Sequence, residues 1–338
     1  MENSSLDRNR SRLNYYTWVG VFVLGVIVLL GSLYFATIKI DYVWRWQIIP
    51  GYVLGSEEEI LVKANIGGNI ESIDTSDKDQ AVVTVRTEDG SALQYIIPGS
   101  DVWVYEGDSV YPGDPLGQYA EWRTGILLLG TWLTLKISFY AIIFGIILGL
   151  IGGVCRISSN PALKWSAITY VELIRGSPLL VQIFIWYFVL ATLINELLKN
   201  YGMTEIPALW YGVAALAVFT GAYVTEIVRA GIQSIHRGQI EAARSLGMTG
   251  AQALRYITLP QALRRILPPL AGQFISLIKD SSLLGMIAIR ELTKATREAI
   301  TVSLQPYEFW FVCAILYLVL TFTLSMVVQY MERRLGVK

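Results

Sequence analysis

Six stretches of this 338-residue sequence carry enough consecutive apolar side chains to cross a layer of hydrocarbon, and nothing else in it narrows the possible folds as much. They run over roughly residues 17–38, 125–154, 168–196, 211–230, 266–289 and 308–330. Several exceed what a bilayer requires, so tilt or an extension into water is expected. With 54% hydrophobic and only 16% charged residues, the chain reads as an all-α polytopic membrane protein of about six spans. Its formal net charge is zero, so there is no electrostatic reason to expect a nucleic-acid partner. Cys155 and Cys313 lie in or at the ends of apolar stretches, where a small polarizable side chain serves as packing. They offer neither a disulfide framework nor a metal site. The single histidine, His236, argues against a haem bundle, a His-rich metal site or a His-based triad, and no metal or cofactor is expected in the chain.

Basic residues beside a span tend to stay in the cytoplasm. Arg8, Arg10 and Arg12 precede the first stretch, with Tyr15, Tyr16 and Trp18 at headgroup level. This puts the N-terminus inside. Alternation then puts Arg156, Lys164, the segment 231–265 and the tail ERRLGVK inside as well, and the turnaround at 168–209 outside. The first stretch is too long for a typical cleaved signal core, and YFATIK is a weak cleavage site, so the span is read as retained.

Residues 41–121 differ from the rest. They are acidic, with SEEE at 56–59, and alternate in short runs such as AVVTVRT and ALQYIIP, separated by GG, EDG, PGS and PGD. This predicts a small extracytoplasmic β-domain, held beside the second span by the short tether EWRTG. The segments ANIGGNIESI and VWVYEGDSVYPGDPLGQY resemble the two halves of a barrel-sandwich hybrid, the fold of lipoyl and biotinyl domains and of secretion adaptors. A prosthetic-group carrier needs a lysine at an exposed hairpin tip. Lys78 is the loop lysine on offer and precedes the Gly-Asp hairpin, so a non-carrier β-domain is preferred.

The segment GQIEAARSLGMTGAQALRYITLP, ending at Pro260, is too polar to span. Glu241, Ala242 and Ala243 are read as the start of a short helix, with a carboxylate near its positive end. Gly247 can close that helix by taking a left-handed conformation. Thr249 is read as the N-cap of a second helix over 251–259, which ends before Pro260. The two alanines leave a shallow surface suited to seating in a groove of another protein.

The pattern Glu241-Ala242-Ala243, Gly247, Ile257, Leu259, Pro260 resembles the coupling loop of ABC importer permeases. YVELIRGSPLLVQIF, AYVTEIVRAGIQSIHRGQIEAA, FISLIKDSSLLGMIAIREL and PYEFW resemble the polar amino-acid permeases of that family, from roughly Thr124 to the C-terminus. The extra first span and the β-insert depart from the usual pattern. The resemblance implies a type I importer transmembrane fold in a bacterial cytoplasmic membrane for the permease domain, 122–338; the hydropathy and strand patterns add the first 40 residues as a cytoplasmic N-terminus and anchor and 41–121 as insert. The resemblance also implies two permease subunits, identical or sister chains, an ABC ATPase dimer, an extracytoplasmic binding protein and an amino-acid substrate. No G-x-x-x-x-G-K-[ST] phosphate loop is present, so ATP and Mg are expected on the partner, and the chain is not itself an enzyme. Glu241, Ala242, Ala243, Arg244, Gly247, Leu259 and Pro260 would form the coupling element, with Glu241 and Arg244 at its rim.

Polar groups inside spans usually face the bundle interior or a watery path. Gln182, Tyr223, Glu226 and Gln273, from three spans, are candidates for that path, with Pro178 kinking or starting the helix of Gln182. Lys279 and Asp280 are expected to pair with Glu172, Arg175 or Glu226 and hold helices together. A different class of function, a membrane-anchored scaffold or adaptor working through the β-domain, would need one anchor rather than six.

Overall fold

The computed structural model describes residues 3–75, 79–87, 89–99 and 101–334. Lys78 and the last four residues lie outside the described residues. The chain forms two units, Met1–Gln47 and Ile48–Lys338. The first is a single helix, α1 (Asn3–Lys39), in which Tyr15–Lys39 is long and apolar enough to cross a membrane. Just past its end Trp44 stacks on Trp46 at 5.4 Å and donates from its indole to Thr37, an amphipathic aromatic cluster of the kind that sits at headgroup level.

The second unit begins with a one-turn helix, α2 (Ile49–Val53), and six strands: β1 (Ser56–Lys63), β2 (Gly68–Asp74), β3 (Gln80–Arg86), β4 (Ala92–Pro98), β5 (Ser109–Val110) and β6 (Pro115–Arg123). They make two antiparallel sheets, one pairing β1 with β6 and one ordered β4-β3-β2-β5. Strand periodicity turns Ala81, Val83 and Val85 of β3 inward, where all three are fully buried with Ile70, Ile97, Val110 and Leu116. Each of the larger side chains contributes about 1.5–3 kcal/mol by leaving water. Two successive turns share one construction. In Tyr105–Asp108 and again in Tyr111–Asp114 the Asp carboxylate accepts from the Tyr backbone N–H at 2.8 Å, and the glycine between, Gly107 or Gly113, has φ near +90 to +100 (+91 and +102).

The β-domain is fixed to the helical part more firmly than the expected tether. β6 runs almost directly into α3 (Ile126–Ile157), and α2 packs its Ile49, Tyr52 and Val53 against Leu127 of α3 and Phe309. Tyr52 meets Phe309 edge to face at 4.9 Å. The approach is close enough that a Cβ on Gly125 would lie 2.4 Å from the Tyr52 carbonyl oxygen.

The helices that follow are α4 (Pro161–Arg175), α5 (Leu179–Phe184), a π-helical stretch Ile185–Leu190, α6 (Ala191–Asn200), α7 (Ala208–Gln233), α8 (Arg237–Ser245), α9 (Gly250–Ala253), a second π-helical stretch Leu254–Thr258, α10 (Leu259–Asp280), a 3-10 stretch Ser281–Ile287, α11 (Leu292–Ser303) and α12 (Pro306–Arg334). Five helices are long and apolar enough to span, or up to six if the pair bent by 50° across residues 287–292 counts as one. At the centre α3 and α7 lie in direct contact. Gly145, Gly149 and Gly153 recur one turn apart on α3, and a Cβ at these positions would stand 2.9, 2.3 and 2.4 Å from Thr220, Val224 and Val228. Small residues at that spacing let two helices approach to backbone distance, which is how helices associate where no water drives them together.

Three sequence expectations need correction. The third stretch is not continuous: α4 ends at Arg175, Gly176 and Ser177 break the chain, and Pro178 is the N-cap of the spanning helix, so residues 168–175 belong to a separate helix. The helix expected to stop before Pro260 continues to Asp280. The π-helical stretch ahead of Pro260 shifts the hydrogen-bond register where the proline lacks a donor, and the Gln261 side chain donates to the Ile257 carbonyl at 3.0 Å. The fifth stretch accordingly starts at Leu259 and passes at Ser281 into 3-10 winding.

Candidate functional site

The segment from α8 to α10 is a tight elbow. Its first helix begins at Arg237, four residues before Glu241, because His236 caps it: its Nδ1 accepts from the Gly238 N–H at 3.1 Å. Glu241 therefore sits in the second turn, fully on the exposed side, rather than at the positive end. Gly247 has φ +85, and the bonds Gly247 N–H to Arg244 O and Met248 N–H to Ala243 O form a Schellman closure. One residue later Thr249 caps α9 in a reciprocal box: its hydroxyl accepts from the Gln252 N–H, and the Gln252 side chain accepts from the Thr249 N–H at 2.8 Å. Arg244 donates to the Met248 carbonyl at 3.2 Å, so it braces the turn instead of standing free at a rim.

The two alanines do different things. Ala243 is buried and packs inward with the elbow, whereas Ala242 is exposed, so only one contributes to a shallow surface. The protruding group is one the sequence reading passed over, Leu246, which is 82% exposed, with Leu254, Tyr256 and Leu259 exposed nearby in sequence. Pro260 is also exposed. At the root, Arg265 donates to the Ser234 carbonyl at 2.6 Å, and Ile266 fits where Gly231 leaves no side chain. The chain is helical without interruption from Gly250 to Asp280, with Pro268 and Pro269 inside α10, so no loop separates the elbow from that helix.

The polar residues of the spans divide by what they touch. Glu226 is gripped from both sides, by Arg156 at 3.0 Å and by Arg229 at 2.8 Å, joining the end of α3 to α7. Gln182 is buried, and its amide donates to the Ile174 carbonyl at 2.7 Å and to Ser177, tying together the chain ends left by the break between α4 and α5. Both are structural ties in the chain as it stands. Tyr223 lies under Arg175, whose guanidinium is 5.2 Å from the ring centre. Gln273 is half-buried on α10. The expected pairing of Lys279 and Asp280 with Glu172, Arg175 or Glu226 does not form among the described residues: Glu226 is occupied by two arginines, Arg175 is over Tyr223, and Lys279 and Glu172 both point to the exposed surface.

Two groups escaped the sequence reading. Glu291 is fully buried at the bend before α11, where its carboxylate accepts from the N–H groups of Thr293 and Lys294 at 2.8 Å each and from the Tyr317 hydroxyl at 2.9 Å. Lys136, in the N-terminal half of α3, lines a cavity of about 390 Å³ with Trp132, Phe139, Tyr140 and Phe274, and no ion pair meets it among the described residues. Its signal was visible, a single cation inside an otherwise apolar run.

Residues 141–337 match the family described as "Binding-protein-dependent transport system inner membrane component". The glutamine transport system permease protein GlnP of Escherichia coli K12 is 34% identical over 233 residues, covering 69% of this chain and 99% of that protein. The probable glutamine ABC transporter permease protein GlnM of Bacillus subtilis 168 is 39% identical over 206 residues, covering 61% and 91%. Among solved structures, one described as "Crystal structure of an amino acid ABC transporter with histidines" is 41% identical with a TM-score of 0.55, covering 62% of this chain and 94% of that one. The adaptor reading, centred on the β-domain, draws no support from any of these. Matched over more than half its length, this chain belongs to the family of binding-protein-dependent transport system inner membrane components and is a multi-pass transmembrane permease subunit, ATP hydrolysis falling to a separate subunit.

Proposed function

We propose that this chain forms one of the two membrane halves of an importer for polar amino acids, glutamine and its neighbours in chemistry. The observation that carries this reading is the exposed elbow with Leu246 at its tip, rigidly closed at Gly247 and Thr249 and continuous with α10. The amino-acid class is supported by the glutamine permeases and the amino-acid transporter it resembles. In this reading two ATPase subunits bind ATP and Mg and receive one elbow from each permease half, a sister chain or a second copy. Their closure pushes the elbows and so turns the spans between inward and outward access. Glu241, Ala242, Ala243, Arg244, Gly247, Leu259 and Pro260 act in that coupling, Ala243, Arg244 and Gly247 by shaping the elbow and the exposed ones by contact.

The termini and the elbow lie in the cytoplasm by the distribution of arginines, and residues 41–121 lie outside, where the binding protein delivers its ligand. The three segments 1–40, 41–121 and 122–338 are anchor, docking insert and permease. The insert is of the barrel-sandwich kind, supported by the pairing of its two half-segments, Gly68 with Val110 and Asn69 with Ser109. The substrate path runs past Tyr223, Gln273 and the Lys136 cavity, with Gln182 and Glu226 fixing its walls.

Co-purification from native membranes followed by reconstitution in proteoliposomes tests the reading. ATP-driven uptake of labelled glutamine, histidine or arginine, dependent on the co-purified binding protein, is expected. Uptake of a sugar or a peptide with none of amino acids refutes the substrate class and leaves the permease assignment standing.

A further inference from the structure

Where α3 ends, α4 begins, α7 ends and α8 begins, a cleft of about 740 Å³ opens, lined by Arg156, Lys164, Arg229 and Arg237 together with five isoleucines. Two of the cations stand against the field of the backbone: Lys164 lies in the first turn of α4 and Arg237 is the first residue of α8, both at helix ends that are already positive. The carboxylate of Glu226 is taken up by bonds to Arg156 Nε and to Arg229, and Lys164 and Arg237 have no ion pair among the described residues. The inner nitrogen of Arg156, NH1, is buried without a hydrogen-bond partner. The cleft therefore carries three more positive charges than the one carboxylate, Glu226, offsets, and a cleft with that surplus is one that an anion completes. Its remaining walls are aliphatic, and it lies at the ends of two helices long enough to span a membrane, α3 and α7, so the anion that fits carries hydrocarbon.

We propose that this cleft binds an acidic phospholipid, its phosphate held by Lys164 and Arg237 beside the Arg156–Glu226–Arg229 cluster, and the first part of its acyl chains lying against isoleucines such as Ile168 and Ile235. Because α8 is one wall, the lipid joins the root of the elbow to α3, α4 and α7. Occupancy therefore sets how well movement of the elbow is passed to the spans. The proposal stands apart from the identity of the transported substrate.

The assembled transporter, purified with its ATPase and binding protein and placed in nanodiscs, provides the test. Stimulated ATP hydrolysis is expected to drop several-fold when phosphatidylglycerol is replaced by phosphatidylcholine, and native mass spectrometry is expected to find acidic phospholipid retained by the complex. The double variant Lys164→Gln with Arg237→Gln removes the charge. Ile168→Trp keeps every charge and fills the cleft. Both are expected to lose the retained lipid and the phosphatidylglycerol dependence. If either variant assembles and still responds to phosphatidylglycerol as the wild type does, the site is elsewhere. Restoration of the rate in phosphatidylcholine discs by inorganic phosphate alone assigns the cleft to a free anion and overturns the lipid.

Discussion

The seam between α3 and α7 and the elbow between α8 and α9 are both built around glycine, and glycine does opposite work in them. In the seam Gly145, Gly149 and Gly153 have ordinary helical backbones, and what matters is the missing side chain. At the elbow a Cβ on Gly247 would meet nothing within 4 Å, and what matters is a backbone with φ +85. The seam is thus a packing device, intolerant of volume. The elbow is a conformational device, indifferent to volume and intolerant of backbone chemistry. One holds the bundle together, and the other projects from it.

Substitutions can break this contrast. Gly149→Val puts branched carbons into Val224 and is expected to cost about 3 kcal/mol or more, since neither helix can move away without opening the whole seam. The variant should fail to accumulate in membranes or lose thermal stability in detergent by many degrees; normal expression and melting would show the seam to be loose. Gly247→Val forces a β-branched residue into the left-handed region, a cost of about 1–2 kcal/mol confined to the elbow. The spans should melt as in the wild type while stimulated ATPase activity collapses, and Gly247→Asn should recover much of it, because asparagine tolerates this conformation. Recovery with alanine as complete as with asparagine would argue against a conformational role. Thr249→Ala removes one half of the capping box, about 1 kcal/mol, and should weaken coupling measurably without abolishing it. Leu246→Ser touches nothing buried, so stability should stay within about 0.5 kcal/mol. Any effect should appear only as weaker retention of the ATPase during purification; a destabilised permease would mean that Leu246 packs internally.

Local chemistry was the legible part. Gly247 and Thr249 announce a helix stop and a helix start within a few residues, and Pro178 announces a kink or a start, of which the structure has the start, because each acts on its own backbone. The start of α8 at Arg237 is hard to read because histidine is an unusual cap, while the carboxylate of Glu241 suits the first turn of a helix. The passage through Pro260 was illegible because a π-helical shift of register has no residue that signals it. Long-range choices were equally hidden. Glu226 had several possible cations, and the one it takes from α3, Arg156, is 70 residues away and is selected by the glycine seam that brings α3 and α7 together. Nothing in the sequence marks Glu291 as buried; the bend before α11 does that. Lys136 was plain in the sequence, but its aromatic surround is assembled partly from α10, through Phe274.

The foot of the β-domain has a consequence for how the transporter can be watched. Tyr52 is wedged against Phe309 while β6 leads straight into α3, so two separate attachments fix the angle of the insert. A flag on a string reports nothing about the pole, but a needle clamped at its base turns with the dial. Any tilt of α3 or α12 that accompanies transport is magnified at the far turns around Tyr105 and Tyr111, both largely exposed and open to labelling. A probe placed there reads the angle of the membrane helices from outside the bilayer, without a label in the path of the substrate.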